Sequence, residues 1–136
     1  GNKIRPGLLS PRRPRRARPE CGRDCLSEEQ LLGLLGSVGI QKFPDLIPFV
    51  VKETDKTIAF KSPVKLAPIH YLIIPKKDIK DVAQISQEDT EYLVDAHKVI
   101  ATIVQQENLE EYQVFTNGPG YQHITYLHYH ILAEGE

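Results

Sequence analysis

The sequence predicts an α+β domain with a largely antiparallel, five-stranded sheet, and three observations carry that prediction. Runs rich in β-branched and aromatic residues recur between residues 47 and 132, each bounded by turn formers. A single long segment ending near Gln106 keeps its apolar residues at helical spacing. The resulting order is short helix, three strands, long helix, two strands, with no internal repeat.

Taken in order, Ser27-Glu28-Glu29-Gln30 has the form of a capping box, and Leu31, Leu32, Leu34 and Leu35 predict a short helix to about Gly36. Gly39 and Pro44 mark a connector. Residues 47–53 and 57–61 flank the turn Thr54-Asp55-Lys56 and read as a hairpin; residues 70–74 make a third strand after a proline-bounded loop. Ser86-Gln87-Glu88-Asp89 opens the long helix, its acids lying where the helix dipole favours negative charge. Leu93, Ala96, Val99, Ile100, Ile103 and Val104 then form one apolar face, with His97 beside it as a packing histidine. Residues 112–116 and 126–132 supply the two closing strands around a glycine-containing turn.

Charge divides the chain. Residues 1–25 hold eight basic and two acidic side chains, a net +6, and residues 26–136 hold nine basic and sixteen acidic ones, a net −7. With Pro6, Pro11, Pro14 and Pro19 among the arginines, the first stretch can build neither a helix ladder nor a core, so a disordered tail is expected before a domain at 26–136. Such a tail resembles a transit peptide in composition but not in amphipathicity; it is read as a solvated tail, with organellar import or nucleic-acid binding as the functional alternatives. No apolar run reaches the roughly 18 residues of a membrane span, and the start lacks the apolar centre of a secretory signal, so a cytoplasmic setting is expected. Cys21 and Cys25 read as free thiols: a zinc site needs four ligands, and a disulfide needs an oxidising compartment.

The stretch from Gln122 to His130 carries the chemistry. On a strand, Tyr126, His128 and His130 share one face while Leu127, Tyr129 and Ile131 share the other. Asn117-Gly118-Pro119-Gly120 just before it can bring backbone N–H groups close to an anion. Histidines beside such a loop point to phosphate chemistry, the bland alternative being the polar face of a half-solvated strand.

Two separated blocks of the sequence resemble the histidine triad (HIT) nucleotide-binding family. Leu66-Ala67-Pro68-Ile69-His70-Tyr71-Leu72-Ile73-Ile74-Pro75-Lys76-Lys77 is similar to its A-P-x-H-x-L-V-I-P-K-K segment. Asn117-Gly118-Pro119-Gly120-Tyr121-Gln122 followed by Tyr126-Leu127-His128-Tyr129-His130-Ile131-Leu132 is similar to its asparagine, glycine-glutamine loop and H-φ-H-φ-H-φ-φ motif. The likeness spans residues 50–132. It implies a homodimer that joins two five-stranded sheets, and attack by His128 on the α-phosphorus of a nucleotide to form a nucleotidyl-histidine. It further implies that His130 holds phosphate oxygens, that Asn117 and Gln122 contact the phosphates, that His70 lies behind the catalytic strand, and that Phe60 lines a base pocket. No cofactor and no structural zinc are expected.

The departures are specific. Tyr126 stands where the first triad histidine is expected, and a phenol carries no positive charge at neutral pH. Ser62 stands where an acid commonly grips the ribose hydroxyls. His123 replaces a serine that helps protonate the leaving group, and an imidazolium is the better acid. Two functions of different class follow. One is a nucleotide hydrolase or phosphoramidase acting on purine nucleotides, nucleotidylated small molecules or dinucleoside polyphosphates. The other is a catalytically weak or silent nucleotide-binding module. His128, His130, Gln122, Asn117 and His70 favour the enzyme, and Ser62 and Tyr126 favour drift in specificity or activity.

Overall fold

The structure, a computed structural model, describes residues 50–135. The basic tail, Cys21 and Cys25, the helix expected after Ser27 and residues 47–49 lie outside the described residues. Five strands are present: β1 (Lys52–Glu53), β2 (Thr57–Lys61), β3 (Ile69–Pro75), β4 (Gln113–Phe115) and β5 (Tyr129–Ala133), with one helix, α1 (Thr90–Gln106), between β3 and β4. They form a single sheet in the order β1-β2-β3-β5-β4, antiparallel at every pairing.

Local chemistry explains most of these boundaries. The Thr54 hydroxyl oxygen accepts from Lys56 N–H and Thr57 N–H and closes the β1–β2 turn. Both threonine hydroxyls, of Thr54 and Thr57, donate to one oxygen of Asp95 at 2.6 Å, tying that turn to α1. At the other end of the connection, the Asp89 carboxylate accepts from Ser86 N–H at 2.9 Å and pairs with Lys77. One 3₁₀ turn, Gln87–Asp89, precedes the α-helix proper. The expected capping box is therefore real, and the helix begins four residues after its serine.

Three expected strands are shorter than the pattern suggests, β4 by one residue at each end of the expected 112–116. Of the expected 47–53 the structure describes 50–53, and within these the β1 ladder spans two residues, at the sheet edge. The last strand was expected over 126–132 and instead runs Tyr129–Ala133. Continuing the β3–β5 register past Ile73↔Tyr129 would set Pro75 opposite Leu127, and proline has no N–H to offer. Leu127 N–H donates instead to Ile79 O at 2.8 Å, and the Thr116 hydroxyl donates to His128 O at 2.6 Å. Residues 126–128 thus lie off the ladder, and the alternation expected there holds only from Tyr129 onward.

Register sorts the two faces of the sheet. Tyr71 opposes Ile131, Ile73 opposes both Ala59 and Tyr129, and all five pack under Ala96, Val99, Ile100 and Ile103 of α1. That stripe is the apolar face read from the sequence, and each fully buried Val or Ile side chain contributes about 1.5–3 kcal/mol. His97, beside the stripe, is exposed; its Nδ1–H donates to Leu93 O at 2.7 Å and its ring meets Tyr129 edge-on. The opposite face carries His70, Leu72, Phe115, His130 and Leu132, by pairings Leu72↔His130, Phe115↔His130 and His70↔Leu132. α1 leaves this second face uncovered. Among the described residues no helix is long and apolar enough to cross a membrane.

Candidate active site

A cleft of about 470 Å³ lies on the face away from α1, lined by residues of β3, β4 and β5 and of two loops. The β2–β3 loop contributes Ser62, Pro63, Val64 and Leu66, and the β4–β5 loop contributes Asn117, Tyr121, His123 and Ile124. His70, His128 and His130 form its polar floor, the ring of His130 lying within 5.1 Å of His70 and 4.9 Å of His128. Phe115, fixed opposite His130 by strand pairing, stacks on that imidazole at 4.6 Å and 8°.

Hydrogen bonds settle which nitrogen of each ring bears a proton. His128 Nδ1 lies 2.8 Å from Tyr126 O, and a carbonyl only accepts, so Nδ1 carries the hydrogen and Nε2 carries the lone pair. His70 Nδ1 accepts from Leu66 N–H at 3.1 Å. Neutral His70 must therefore hold its proton on Nε2 and donate it to His130 Nδ1, 2.9 Å away. His130 in turn keeps its hydrogen on Nε2, a buried nitrogen without a hydrogen-bond partner among the described residues. One loop amide thus orients two imidazoles in series, ending at the Nε2–H of a ring centred 4.9 Å from that of His128.

All three rings are held neutral at pH 7. Burial is the largest cause, pushing His70 down to about 4 and His130 to about 3; the Lys65 ammonium adds to the first shift against an opposing backbone contact with Val64, and the repulsion that neighbouring rings would exert once protonated adds to the second. His128 is lowered as well, chiefly by burial, while its bond to the Tyr126 carbonyl opposes the shift. A neutral His128 is the nucleophilic form of the ring.

The structure gathers His70, His123, His128, His130, Asn117 and Ser62 around one cleft. Three other residues singled out in the sequence stand elsewhere. Gln122 turns its amide to Lys80 O at 2.9 Å, and Tyr126 lies under the Lys80 ammonium, 4.2 Å from its ring centre. Phe60 shares the cleft face through Phe60↔Leu72 but is buried and outside the lining. Sequence reasoning missed Phe115, which the pairing of the two closing strands could have revealed. It also missed Leu66 N–H, a backbone group that no side-chain pattern announces. Among the described residues no group of three His, Cys, Asp or Glu side chains could hold a metal ion.

Comparison with known proteins gives the chain its family. The family described as "Scavenger mRNA decapping enzyme C-term binding" matches residues 42–135. A HIT-like protein of Chlamydia trachomatis is 35% identical over 88 residues, which are 62% of this chain and 79% of that protein. The chain belongs to the HIT family. Its relatives include the purine nucleoside phosphoramidase of Escherichia coli K12, 34% identical over 88 residues, 62% of this chain and 74% of that enzyme. Among solved structures, a HIT family hydrolase from Legionella pneumophila superposes with a TM-score of 0.65 at 29% identity, covering 73% of this chain and 93% of that one. A histidine triad protein from Clostridium difficile gives 0.65 at 28% identity, covering 75% and 93%. The HIT fold, nucleotide binding and hydrolase chemistry of the family form the frame in which these three imidazoles are to be understood.

Proposed function

We propose that this HIT protein is a nucleotide hydrolase, of the phosphoramidase type, that cleaves at the α-phosphate through a nucleotidyl-histidine. The observation that carries this reading is the 2.8 Å bond from His128 Nδ1–H to Tyr126 O, which leaves the lone pair on Nε2 of a neutral ring that lines the cleft. Nε2 attacks phosphorus, the N–P bond forms, and the bond to the leaving group breaks. The imidazolium so created keeps its Nδ1–H on the Tyr126 carbonyl, where its charge is stabilised. His130 Nε2–H donates to a non-bridging phosphate oxygen. His123, which lines the cleft, gives its proton to the departing amine or phosphate and later takes one from the attacking water, whose oxygen displaces His128. Proton and electron pair are both restored at the end of the cycle.

Support for the substrate class comes from the E. coli phosphoramidase relative and from the apolar walls Pro63, Leu66, Leu72, Phe115 and Ile124, suited to a base. A homodimer belongs to the same reading: β4 is a sheet edge, and Tyr112 and Val114 beside and within it are exposed. A fluorogenic adenosine phosphoramidate tests the chemistry. Turnover by the wild type, its loss in His128→Ala, and a protein mass increase of one nucleotidyl group on rapid acid quench are expected. Turnover that survives His128→Ala would sink the assignment. Adenosine monophosphate binding without turnover in either protein would instead favour the silent module, a reading that the outward positions of Gln122 and Tyr126 keep in view.

A further inference from the structure

Residues 126–128 lie off the sheet ladder, so contacts other than strand pairing must hold the segment that carries the attacking ring. At its far end the Thr116 hydroxyl donates to His128 O. At its near end the connection after β3 supplies three more contacts, all through Ile79 and Lys80. Leu127 N–H donates to Ile79 O at 2.8 Å, and the Gln122 amide donates to Lys80 O at 2.9 Å. The Lys80 ammonium stands 4.2 Å from the centre of the Tyr126 ring. The first two engage the main chain of residues 79 and 80. Only the third uses the lysine side chain.

That third contact is also the nearest to the chemistry. Tyr126 is half-buried and lies outside the cleft lining, yet its carbonyl is the group that accepts His128 Nδ1–H at 2.8 Å. Side-chain rotamer and backbone dihedrals restrict each other, so a ring held in one place narrows the directions open to the carbonyl of its own residue. The ammonium is itself fixed from the other side by Asp78, whose Oδ1 lies 2.9 Å away. Asp78, Lys80, Tyr126 and His128 therefore form one chain of contacts, running from an exposed carboxylate to a buried imidazole. An exposed Asp–Lys pair by itself contributes little, whereas a cation over an aromatic face adds an attraction that an aliphatic neighbour does not offer.

Resting on the nucleotide-hydrolase reading above, we infer that Lys80 is a positioning residue for His128 and acts through Tyr126. The ammonium holds the ring, the ring restricts the carbonyl, and the carbonyl keeps the proton of His128 on Nδ1. Nε2 is thereby left bare for attack. Tyr126 serves the nucleophile from outside the cleft, without touching the ligand.

Lys80→Ala removes the ammonium and leaves both main-chain contacts in place. With the fluorogenic phosphoramidate, kcat should fall at least about twofold and up to about fivefold, the weight of an exposed cation–π contact, with KM unchanged. Lys80→Arg keeps a cation over the ring and should restore the wild-type kcat. Tyr126→Leu should match Lys80→Ala, and the two together should cost no more than either alone, since they break one contact. Nitrogen-15 shifts of the free protein give the second reading. In Lys80→Ala the Nδ1 and Nε2 shifts of His128 should move toward each other as its tautomers begin to mix, while those of His70, fixed by Leu66 N–H, stay in place. A wild-type kcat in Lys80→Ala, a change in KM instead of kcat, a loss that Lys80→Arg does not restore, or additive losses in the double variant overturns the inference. So do unmoved His128 shifts, or shifts of His70 and His128 that move together, which would mark a general loosening of the fold. If Tyr126→Leu does not fold, the two lysine variants and the shifts still decide. Should the wild type turn nothing over, the shifts decide alone: movement confined to His128 upholds its positioning by Lys80 and counts against the hydrolase reading only, and any other pattern overturns the inference.

Discussion

His130 and His128 stand two residues apart and are held by different means. His130 belongs to β5 and has a ladder partner on each side, Leu72 and Phe115. His128 lies just before that ladder, and its backbone is fixed by a threonine hydroxyl and its ring by the Tyr126 carbonyl. The first is part of the sheet's architecture, and its proton position is relayed through His70. The second is suspended from a loop. In the proposed mechanism the attacking ring is the one held from a loop, although it is the more buried of the two, and the ladder holds the ring that donates to the phosphate oxygen.

Removing each partner in turn should separate these two modes of support. His128→Ala should cost turnover on the order of 10⁴-fold, as loss of a nucleophile does, measured with the phosphoramidate. Retention of more than a tenth of the activity would mean that another group attacks. His70→Ala should act on both stability and rate, because it strips the donor from buried His130 Nδ1 and frees the proton position of that ring. A loss of about 1–3 kcal/mol in denaturant unfolding is expected, with turnover down about 10–100-fold. A variant with full activity and lowered stability would show the relay to be structural only.

Acid should weaken the ladder side through a definite window. His70 and His130 stay neutral when folded down to about pH 4 and about pH 3, whereas unfolded histidine takes up its proton near pH 6.5. Between these limits the unfolded chain binds more protons, so stability falls as pH falls, by up to about 1.4 kcal/mol per pH unit for each ring, and is unaffected by them above pH 7. Thermal unfolding from pH 7 to pH 4 measures this slope, and His70→Phe should flatten it. A slope unchanged in that variant would remove His70 from the account. On the loop side, Thr116→Val takes away the donor to His128 O and should cost about 1 kcal/mol, with a severalfold loss in kcat. The smallest effect is expected at Gln122→Ala. Its amide faces Lys80 O rather than the cleft, so kcat/KM should change by less than about threefold, or roughly 0.6 kcal/mol. A tenfold loss would mean that Gln122 swings inward when substrate binds.

The same contrast explains what could be read in the chain without coordinates. The face of α1 and the strand runs around Ile73 follow from periodicities that repeat over several residues, whereas His70 was placed by resemblance to a motif and His128 lies just before the ladder begins. Those periodicities are what the core rewards. The early end of the β3–β5 ladder was less legible because it depends on Pro75 falling opposite Leu127, a coincidence of register between distant segments. Gln122 and Tyr126 were placed by analogy with a motif, and the side chain of each has found a partner in Lys80. The self-satisfied hydroxyl of Ser62, which donates to Val64 O and accepts from Val64 N–H, was illegible, since a serine looks the same whether its hydrogen is spent or spare.

Leu66 N–H has a consequence for how this protein could be dissected. It fixes the direction of the His70–His130 chain, yet it belongs to the main chain, so alanine scanning of the loop would pass over it. Leu66→Pro, or an ester in place of that amide made by semisynthesis, would delete the hydrogen and leave every imidazole in its sequence position. The order of tautomers would then be free to reverse, and nitrogen-15 shifts of the two rings would register the reversal as an exchange of their protonated and bare nitrogens.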